Sequence, residues 1–233
     1  KNKLSKHLIP VIQSYINENT TGYLEPFVGG ANVIDKIICK NKIGYDINEY
    51  LIALLNQTKT DTAVFPQSIT CDEYYKVKEN INDYPKWYVG LVGFAGSYSA
   101  KWFGGYAKGN DTRDRQNEAI RNLINQSKSL QPTSFKHGDF RDIKNVNNAL
   151  IYCDPPYKDT TKYKDNFPYE EYYVWAREMS KSNIVLCSEY CMPDDFVCIW
   201  SKKHKTLIDS NRVVASNDNV RVEKLFIHKS FNN

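Results

Sequence analysis

The sequence of 233 residues lacks any apolar run near the ~18 residues that a membrane-spanning helix requires, and we expect no signal peptide at its start. None of its 6 cysteines forms a Cys-x-x-Cys pair, and its 4 histidines are scattered at no spacing typical of metal ligands. These absences exclude a membrane-spanning protein, argue against a zinc site and predict reduced thiols in a cytoplasm.

The composition is that of a folded globular protein, with 41% hydrophobic and 25% charged residues. At this length we expect one α/β domain that carries an insertion. The net charge of +4 allows a polyanionic partner without requiring one. The 17 tyrosines and 4 tryptophans suit stacking on nucleic-acid bases, although core packing is the simpler interpretation for most of them.

The first part of the chain, 1–57, shows the pattern of a parallel α/β sheet. We predict a first helix that starts near Pro10 rather than one that runs through it, because proline disrupts a helix interior. The later elements are a strand over 23–27, a helix over about 32–40, a strand over 43–46 and a helix over 48–57 with Asp46 or Asn48 as its cap.

The pattern changes over 58–132, which we interpret as an inserted helical subdomain. Its glycine and aromatic residues at 93–106 predict a flexible loop. A helix is expected over roughly 113–130, capped by Asp111 or Thr112.

The α/β pattern returns over 133–233. The predicted elements are strands over 133–137 and 149–153, a helix over about 169–181, a strand over 183–187, and a late hairpin of strands 196–200 and 222–227 around the polar stretch 209–219.

Two features near the start of the sheet indicate a ligand site. The segment 25–31, Glu-Pro-Phe-Val-Gly-Gly-Ala, leads from a strand through glycines into the predicted helix, where a ligand can approach the backbone closely. A tight strand-to-helix turn explains it equally well. Asp46, at the end of the next strand, can accept both hydroxyls of a ribose, or it can cap the following helix.

The strongest motif is Asp154-Pro155-Pro156-Tyr157, which directly follows an apolar strand. Two prolines remove two N–H donors, so a carboxylate beside their carbonyls forms a cluster of acceptors. Such a cluster suits an exocyclic amine such as adenine N6, whose lone pair becomes available when acceptors bind its two hydrogens. Tyr157 adds a face on which the base can stack. The alternative is a rigid turn whose tyrosine packs inward.

These motifs resemble those of the Dam-type, D12-class DNA adenine-N6 methyltransferases of bacteria and their phages. The segment 1–4 resembles the end of the family's G-[GS]-K-x-x-L motif, and the segment 25–31 resembles its E-P-F-x-G-x-G motif. Residues 46–48 match its D-x-N motif, Asp139-Phe140 matches its D-F pair, and residues 154–157 match its D-P-P-Y motif. Two positions depart from the pattern, since Ala31 replaces the last glycine and Glu189 stands where the family often has asparagine.

The resemblance implies a Rossmann-like methyltransferase sheet of seven strands with an antiparallel last strand, and a target-recognition domain at 58–132. It implies S-adenosylmethionine as methyl donor, no metal, and adenine in double-stranded DNA as acceptor, with GATC as the family's common site. It also implies a bacterial or phage-infected host cytoplasm. The implied donor contacts are Lys1, Phe27, Gly29, Gly30, Asp46, Asp139, Phe140 and Asp154, and the flipped base would meet Asp154, Pro155, Pro156 and Tyr157.

Residues for DNA contact are proposed from the glycine-aromatic loop and the segment behind it, where cations and aromatic rings alternate. They are Tyr98, Lys101, Trp102, Lys108, Arg113 and Arg115, each of which could instead belong to a plain solvent-facing loop. Three other functions stay open: methylation of cytosine N4, methylation of RNA, and DNA binding by a module without catalysis.

Overall fold

The computed structural model describes residues 2–109, 114–156, 167–205 and 220–232, and these form a sheet of seven strands. In chain order they are β1 (Tyr23–Glu25), β2 (Lys42–Asp46), β3 (Thr133–His137), β4 (Leu150–Cys153), β5 (Ile184–Glu189), β6 (Phe196–Lys205) and β7 (Val220–His228).

The strand order is β3-β2-β1-β4-β5-β7-β6, with the first five strands parallel and β7 antiparallel to both of its neighbours. This order confirms the Rossmann-like α/β class and the late hairpin, although the predicted tip at 209–219 lies outside the described residues. From β1 the chain passes to β2 on one side and later to β4 on the other. In such sheets ligands bind at this switch point, beyond the carboxyl ends of the strands.

The described residues form α1 (Asn2–Gln13), α2 (Glu49–Thr60), α3 (Cys71–Glu79), α4 (Lys86–Ala95), α5 (Arg115–Leu130) and α6 (Tyr169–Met179). One face is covered by α1, α2 and the end of α5, which bury Leu8, Leu55 and Leu130 against the strands. The other face is covered by α6, which buries Tyr172 with Phe140. In the described ranges no helix is long and apolar enough to cross a membrane.

The prediction for the first helix was wrong, because α1 continues through Pro10. The side chain of Pro10 is exposed, whereas Leu4, Leu8 and Ile12 are buried, the last two in the core against the sheet. A proline inside a helix costs about 3 kcal/mol, and burying an aliphatic side chain contributes roughly 2 kcal/mol. Three such side chains outweigh the cost of one proline.

The helix predicted over 32–40 was also wrong, because only a single 3-10 turn, Ile34–Lys36, forms there. Ala31 precedes it with a left-handed backbone, and Ile37 after it is extended. The β-branched residues Val33, Ile34, Ile37 and Ile38 weaken the tendency of this short connection to continue as a helix.

Other boundaries differ from the predictions by a few residues. The first strand ends at Glu25 rather than at 27, and the hairpin strands β6 and β7 are longer than expected. Helix α2 is capped by Asn48, whose side-chain oxygen accepts the N–H groups of Tyr50 and Leu51. Helix α5 is capped by Asp114, which accepts the N–H of Asn117, whereas the predicted caps at 111 and 112 lie outside the described residues.

The segment between α2 and β3 buries a cluster of its own, which includes Ile69, Tyr74, Val77, Leu91 and Ile120. Tyr50 and Leu54 of α2 also belong to this cluster, so it is attached to the sheet domain through α2. The interpretation of 58–132 as a target-recognition domain stays a prediction.

The loop after α4, predicted to be flexible, is held closed by several fixed contacts. Ser97 and Tyr106 form an antiparallel bridge. The Tyr74 hydroxyl lies 2.8 Å from the Ser97 Oγ and accepts the N–H of Gly105 at 3.1 Å. A side chain at Gly93 would collide with the ring of Trp102. Here glycine permits close packing rather than flexibility.

Candidate active site

The loops after β1 and β4 leave the same edge of the sheet side by side. The two strands are parallel and in register, with Tyr23 opposite Leu150 and Leu24 opposite Ile151. The glycine turn, residues 25–31, therefore lies next to Asp154-Pro155-Pro156 at the switch point of the sheet. This is the juxtaposition that the sequence motifs require.

The glycine turn is fixed to the end of β2 through Asp46. Its carboxylate accepts the N–H of Gly29 at 3.1 Å and the N–H of Asn48 at 2.9 Å. Burial raises the pKa of Asp46, and these two N–H bonds act in the opposite direction. A carboxylate has about four acceptor positions, so capacity remains for the hydroxyls of a ribose. The cap of α2 is Asn48, which leaves Asp46 to shape the turn.

The glycine turn leaves open space beside its backbone. Gly29 has a φ of +49°, and nothing lies within 4 Å of the position that a Cβ would occupy there. Ile47, which follows Asp46, is 68% exposed and offers an apolar surface at the same edge. Our sequence reasoning missed Ile47; the only signal was an aliphatic side chain inside the D-x-N motif.

Ala31, which replaces a family glycine, has a φ of +55° and is fully buried. The methyl group therefore fits in the core, but the backbone is left-handed, which favours glycine over other residues. The chain accepts a conformational cost at this position.

The Asp154-Pro155-Pro156 turn is half-buried and is supported from α6. The Tyr169 hydroxyl donates a hydrogen bond of 2.7 Å to the carbonyl of Pro156. This bond uses one lone pair of that carbonyl, and the interpretation of the rim as a cluster of acceptors stays a prediction. Tyr157 lies outside the described residues.

Buried acids stand behind the turn. Glu25, only 3% exposed, accepts a hydrogen bond of 2.7 Å from the Tyr23 hydroxyl. Burial raises the pKa of Glu25 well above its usual range, and the nearby charge of Asp154 adds to this effect. On β5 and β7, the Ser188 hydroxyl donates to Glu223 at 2.6 Å, and both side chains are buried.

Glu189 is the last residue of β5 and is buried. Its Oε1 accepts the N–H of Tyr190 at 2.7 Å. The acid that departs from the family pattern thus has a local role at the strand end.

The structure brings Phe27 and Phe140 together, with ring centroids 5.6 Å apart. Phe140 is only 2% exposed, so it can offer little more than an edge to a ligand. The carboxylate of Asp139 accepts two hydrogen bonds from Arg141, one from Nε at 2.8 Å and one from Nη2 at 3.0 Å. These bonds lower the pKa of Asp139 and keep it ionised.

Two of the predicted DNA contacts lie opposite the glycine turn. Tyr98 and Arg115 line a cleft of about 470 Å³ whose other wall includes Gly29 and Gly30. The Arg115 guanidinium stands over the Tyr98 ring, 5.8 Å from its centroid. Tyr98 is 56% exposed, which leaves its ring accessible.

The other predicted DNA contacts are distributed differently. Lys101 and Lys108 are exposed. Trp102 stacks on Tyr50 with centroids 5.1 Å apart and also contacts Phe94, so much of its ring is occupied by packing within the protein. Lys1 and Arg113 lie outside the described residues. In the described ranges no three His, Cys, Asp or Glu side chains are placed to hold a metal ion.

The sheet order and the loops at its edge define the class of the fold, a Rossmann-like methyltransferase. Residues 5–190 match the D12 class N6 adenine-specific DNA methyltransferase family, and the chain belongs to that family.

Among solved structures, SMU.472, described as a methyltransferase complexed with SAH, aligns at 11% sequence identity with a TM-score of 0.36. The alignment covers 98% of this chain and 52% of that one, so the chain spans about half the length of that protein. A search of curated proteins gave no match.

Proposed function

We propose that the protein transfers a methyl group from S-adenosylmethionine to N6 of an adenine that is flipped out of double-stranded DNA, within GATC. Membership of the D12 family supports the reaction class. The N6 lone pair forms a bond to the donor methyl carbon while the bond from that carbon to sulfur breaks and leaves a neutral thioether. The positive charge passes to N6, which then releases one of its protons to solvent.

The residues that would hold the donor surround the ends of β1, β2 and β3. Asp46 would accept the ribose hydroxyls, and the open side of Gly29, with Gly30 next to it, would receive the methionine part. Ile47 would pack against the donor's adenine. The resemblance also gives roles to Lys1, Phe27, Asp139 and Phe140, and these roles stay proposals.

The residues that would receive the target amine follow β4. The Asp154 carboxylate and the Pro155 carbonyl accept the two N6 hydrogens and favour a pyramidal nitrogen whose lone pair can attack. Tyr169 keeps the turn in position through Pro156. Catalysis then depends on positioning and on acceptors that are fixed before the substrate arrives.

The cleft between the glycine turn and Tyr98 supports the proposal that the target base leaves the helix. A base inside a duplex cannot reach Asp154, and extrusion costs a few kcal/mol. Tyr98 and Arg115 would contact the DNA beside the site. Lys101, Trp102, Lys108 and Arg113 stay proposed contacts from the sequence. Base stacking and backbone contacts would offset the cost of extrusion.

One observation carries the proposal: the in-register pairing of β1 and β4, which places Asp154 beside the glycine turn. The test is methyl transfer from labelled S-adenosylmethionine to duplex oligonucleotides, followed by nucleoside analysis. We expect N6-methyladenine in a duplex that contains GATC, and none in a duplex in which that adenine is replaced.

Each other outcome would overturn part of the proposal. Detection of N4-methylcytosine would show that the enzyme methylates cytosine rather than adenine. Label in RNA but not in DNA would show that its substrate is RNA. Methylation of duplexes without GATC would remove the sequence assignment alone. DNA binding without any methyl transfer would leave a binding module.

A further inference from the structure

The glycine turn is held from the far side of the insertion by one side chain of α5, Gln126. Its Nε2 lies 3.2 Å from the carbonyl oxygen of Gly30, 3.1 Å from that of Ala31 and 3.1 Å from Oδ2 of Asp35. Three acceptors surround this atom. The position therefore suits the amide nitrogen, which has two N–H donors, and not the amide oxygen, which can only accept. These contacts join parts of the chain that are more than 90 residues apart.

The two carbonyls belong to the peptide units on either side of Ala31. Peptide units are planar, so fixing a carbonyl also fixes the N–H on the opposite side of the same unit. The N–H of Ala31 is itself bound to the carbonyl of Val28 at 2.9 Å. Gln126 thus stabilises the left-handed backbone of Ala31. It thereby stabilises the shape of the glycine turn, of which Ala31 is the last residue.

We propose that Gln126 is a positioning residue for the methyl donor, acting through the glycine turn rather than by contact with the target base. This rests on the proposed function and extends it to a residue outside every motif of the sequence. The same helix carries Arg115 at its start, and Gln126 lines the same cleft as Gly29 and Gly30. Correct seating of α5 is therefore part of what forms the donor site.

The test compares Gln126→Met, which keeps the length of the side chain but removes its donors, with Asn125→Met on the exposed neighbouring position. Calorimetry with S-adenosylmethionine and with S-adenosylhomocysteine should show Kd values that are about tenfold higher for Gln126→Met, as expected for the loss of one or two ordinary hydrogen bonds. The KM for the donor should rise similarly, while kcat and the KM for duplex DNA stay within about twofold. Asn125→Met should resemble the wild type.

Gln126→Lys restores N–H donors at similar reach and should recover donor affinity to within about threefold. A purely structural role predicts instead that kcat and both KM values change together and that lysine does not rescue. That result, or unchanged donor affinity in Gln126→Met, overturns the inference. A wild-type protein that neither binds the donor nor methylates DNA would refute the proposed function itself, independently of these variants.

Discussion

The edge of the sheet and the loop over 97–106 use their side chains in opposite ways. At the edge, the Asp46 carboxylate accepts the N–H of Gly29, and the turn leaves open space at Gly29. In the loop, Trp102 packs on Tyr50, and the Tyr74 hydroxyl binds both ends of the loop. At the edge the space beside Gly29 is open to a ligand. In the loop Trp102, one of the two aromatic residues that suggested DNA contact, packs within the protein instead.

Both regions carry a conformational cost to stability, and the edge adds a buried acid to it. The edge contains a left-handed alanine and a buried carboxyl group at Glu25, both of which are unfavourable for folding. In the loop, Ser99, Ala100 and Phe103 have left-handed backbones with φ of +58°, +51° and +40°, above a packed cluster. Sites of function commonly retain such costs because activity requires them.

The largest effect is expected at the edge, for Asp154→Ala. Loss of this carboxylate should lower the kcat of methyl transfer by at least about 10²- to 10³-fold, because a fixed acceptor is removed from the reacting amine. DNA affinity should stay within about threefold, since the contacts of the insertion are retained. Single-turnover assays and binding titrations measure the two quantities.

The matched control for that variant is Asp72→Ala, an exposed acid in the first turn of α3. It should leave kcat unchanged. If Asp154→Ala retained full activity, the edge would not be the catalytic region, and the comparison with the loop would lose its meaning.

The next effect is expected in the loop, for Trp102→Ala. Trp102 is 36% exposed but contacts three aromatic rings, so its removal should lower the free energy of unfolding by about 2 kcal/mol. Urea denaturation provides the measurement. Tyr98→Ala is the control and should change stability by less than about 0.5 kcal/mol while weakening DNA binding. Equal stability losses in both variants would contradict the division of roles.

A smaller effect, opposite in sign, is expected for Glu25→Gln. The folded-state pKa of Glu25 is raised, so folding disfavours its charged form. This penalty is absent below the unfolded pKa of about 4.3 and grows as the pH rises, by ~1.4 kcal/mol for each unit that separates the two pKa values. Glutamine keeps an acceptor for Tyr23 and does not titrate. We compare the free energy of unfolding of the variant with that of the wild type at each pH. The difference in favour of the variant should be larger at pH 8 than at pH 4 by about 1 kcal/mol or more. Denaturant titrations of both proteins at pH 4 and pH 8 measure this. The same stability difference between variant and wild type at both pH values would contradict the prediction.

The smallest effect is expected for Ala31→Gly. Relief of the left-handed strain is worth about 1 kcal/mol, but a buried methyl group is lost and the unfolded chain gains freedom. These terms nearly cancel, so the free energy of unfolding should change by less than about 1 kcal/mol. Ala31→Val should lose clearly more, because a β-branched residue tolerates positive φ poorly. Similar stabilities for the valine and glycine variants would argue against strain at this position.

Sequence reasoning succeeded where the determinants are local. The strand Thr133–His137 was predicted with its observed bounds. It failed where partners are distant. The course of α1 through Pro10 depends on burial against the sheet.

The supporting residues of the site were also invisible in the sequence. Tyr169 and Gln126 carry no motif, and their partners Pro156 and Gly30 are 13 and 96 residues away. The closed loop depends on Tyr74, which lies in a different helix. Local pattern identifies residues that can react, whereas residues that orient them are specified by the tertiary structure.

Helix α5 sets a fixed length between the two regions. Arg115 and Gln126 lie 11 positions apart along Arg115–Leu130, which corresponds to a rise of roughly 17 Å. An α-helix hardly stretches, and inserting one residue rotates everything beyond it by about 100°. The helix therefore fixes both the distance and the relative orientation of Arg115 and Gln126. Substitutions on its exposed side are tolerated, whereas insertions or deletions between these two residues are not.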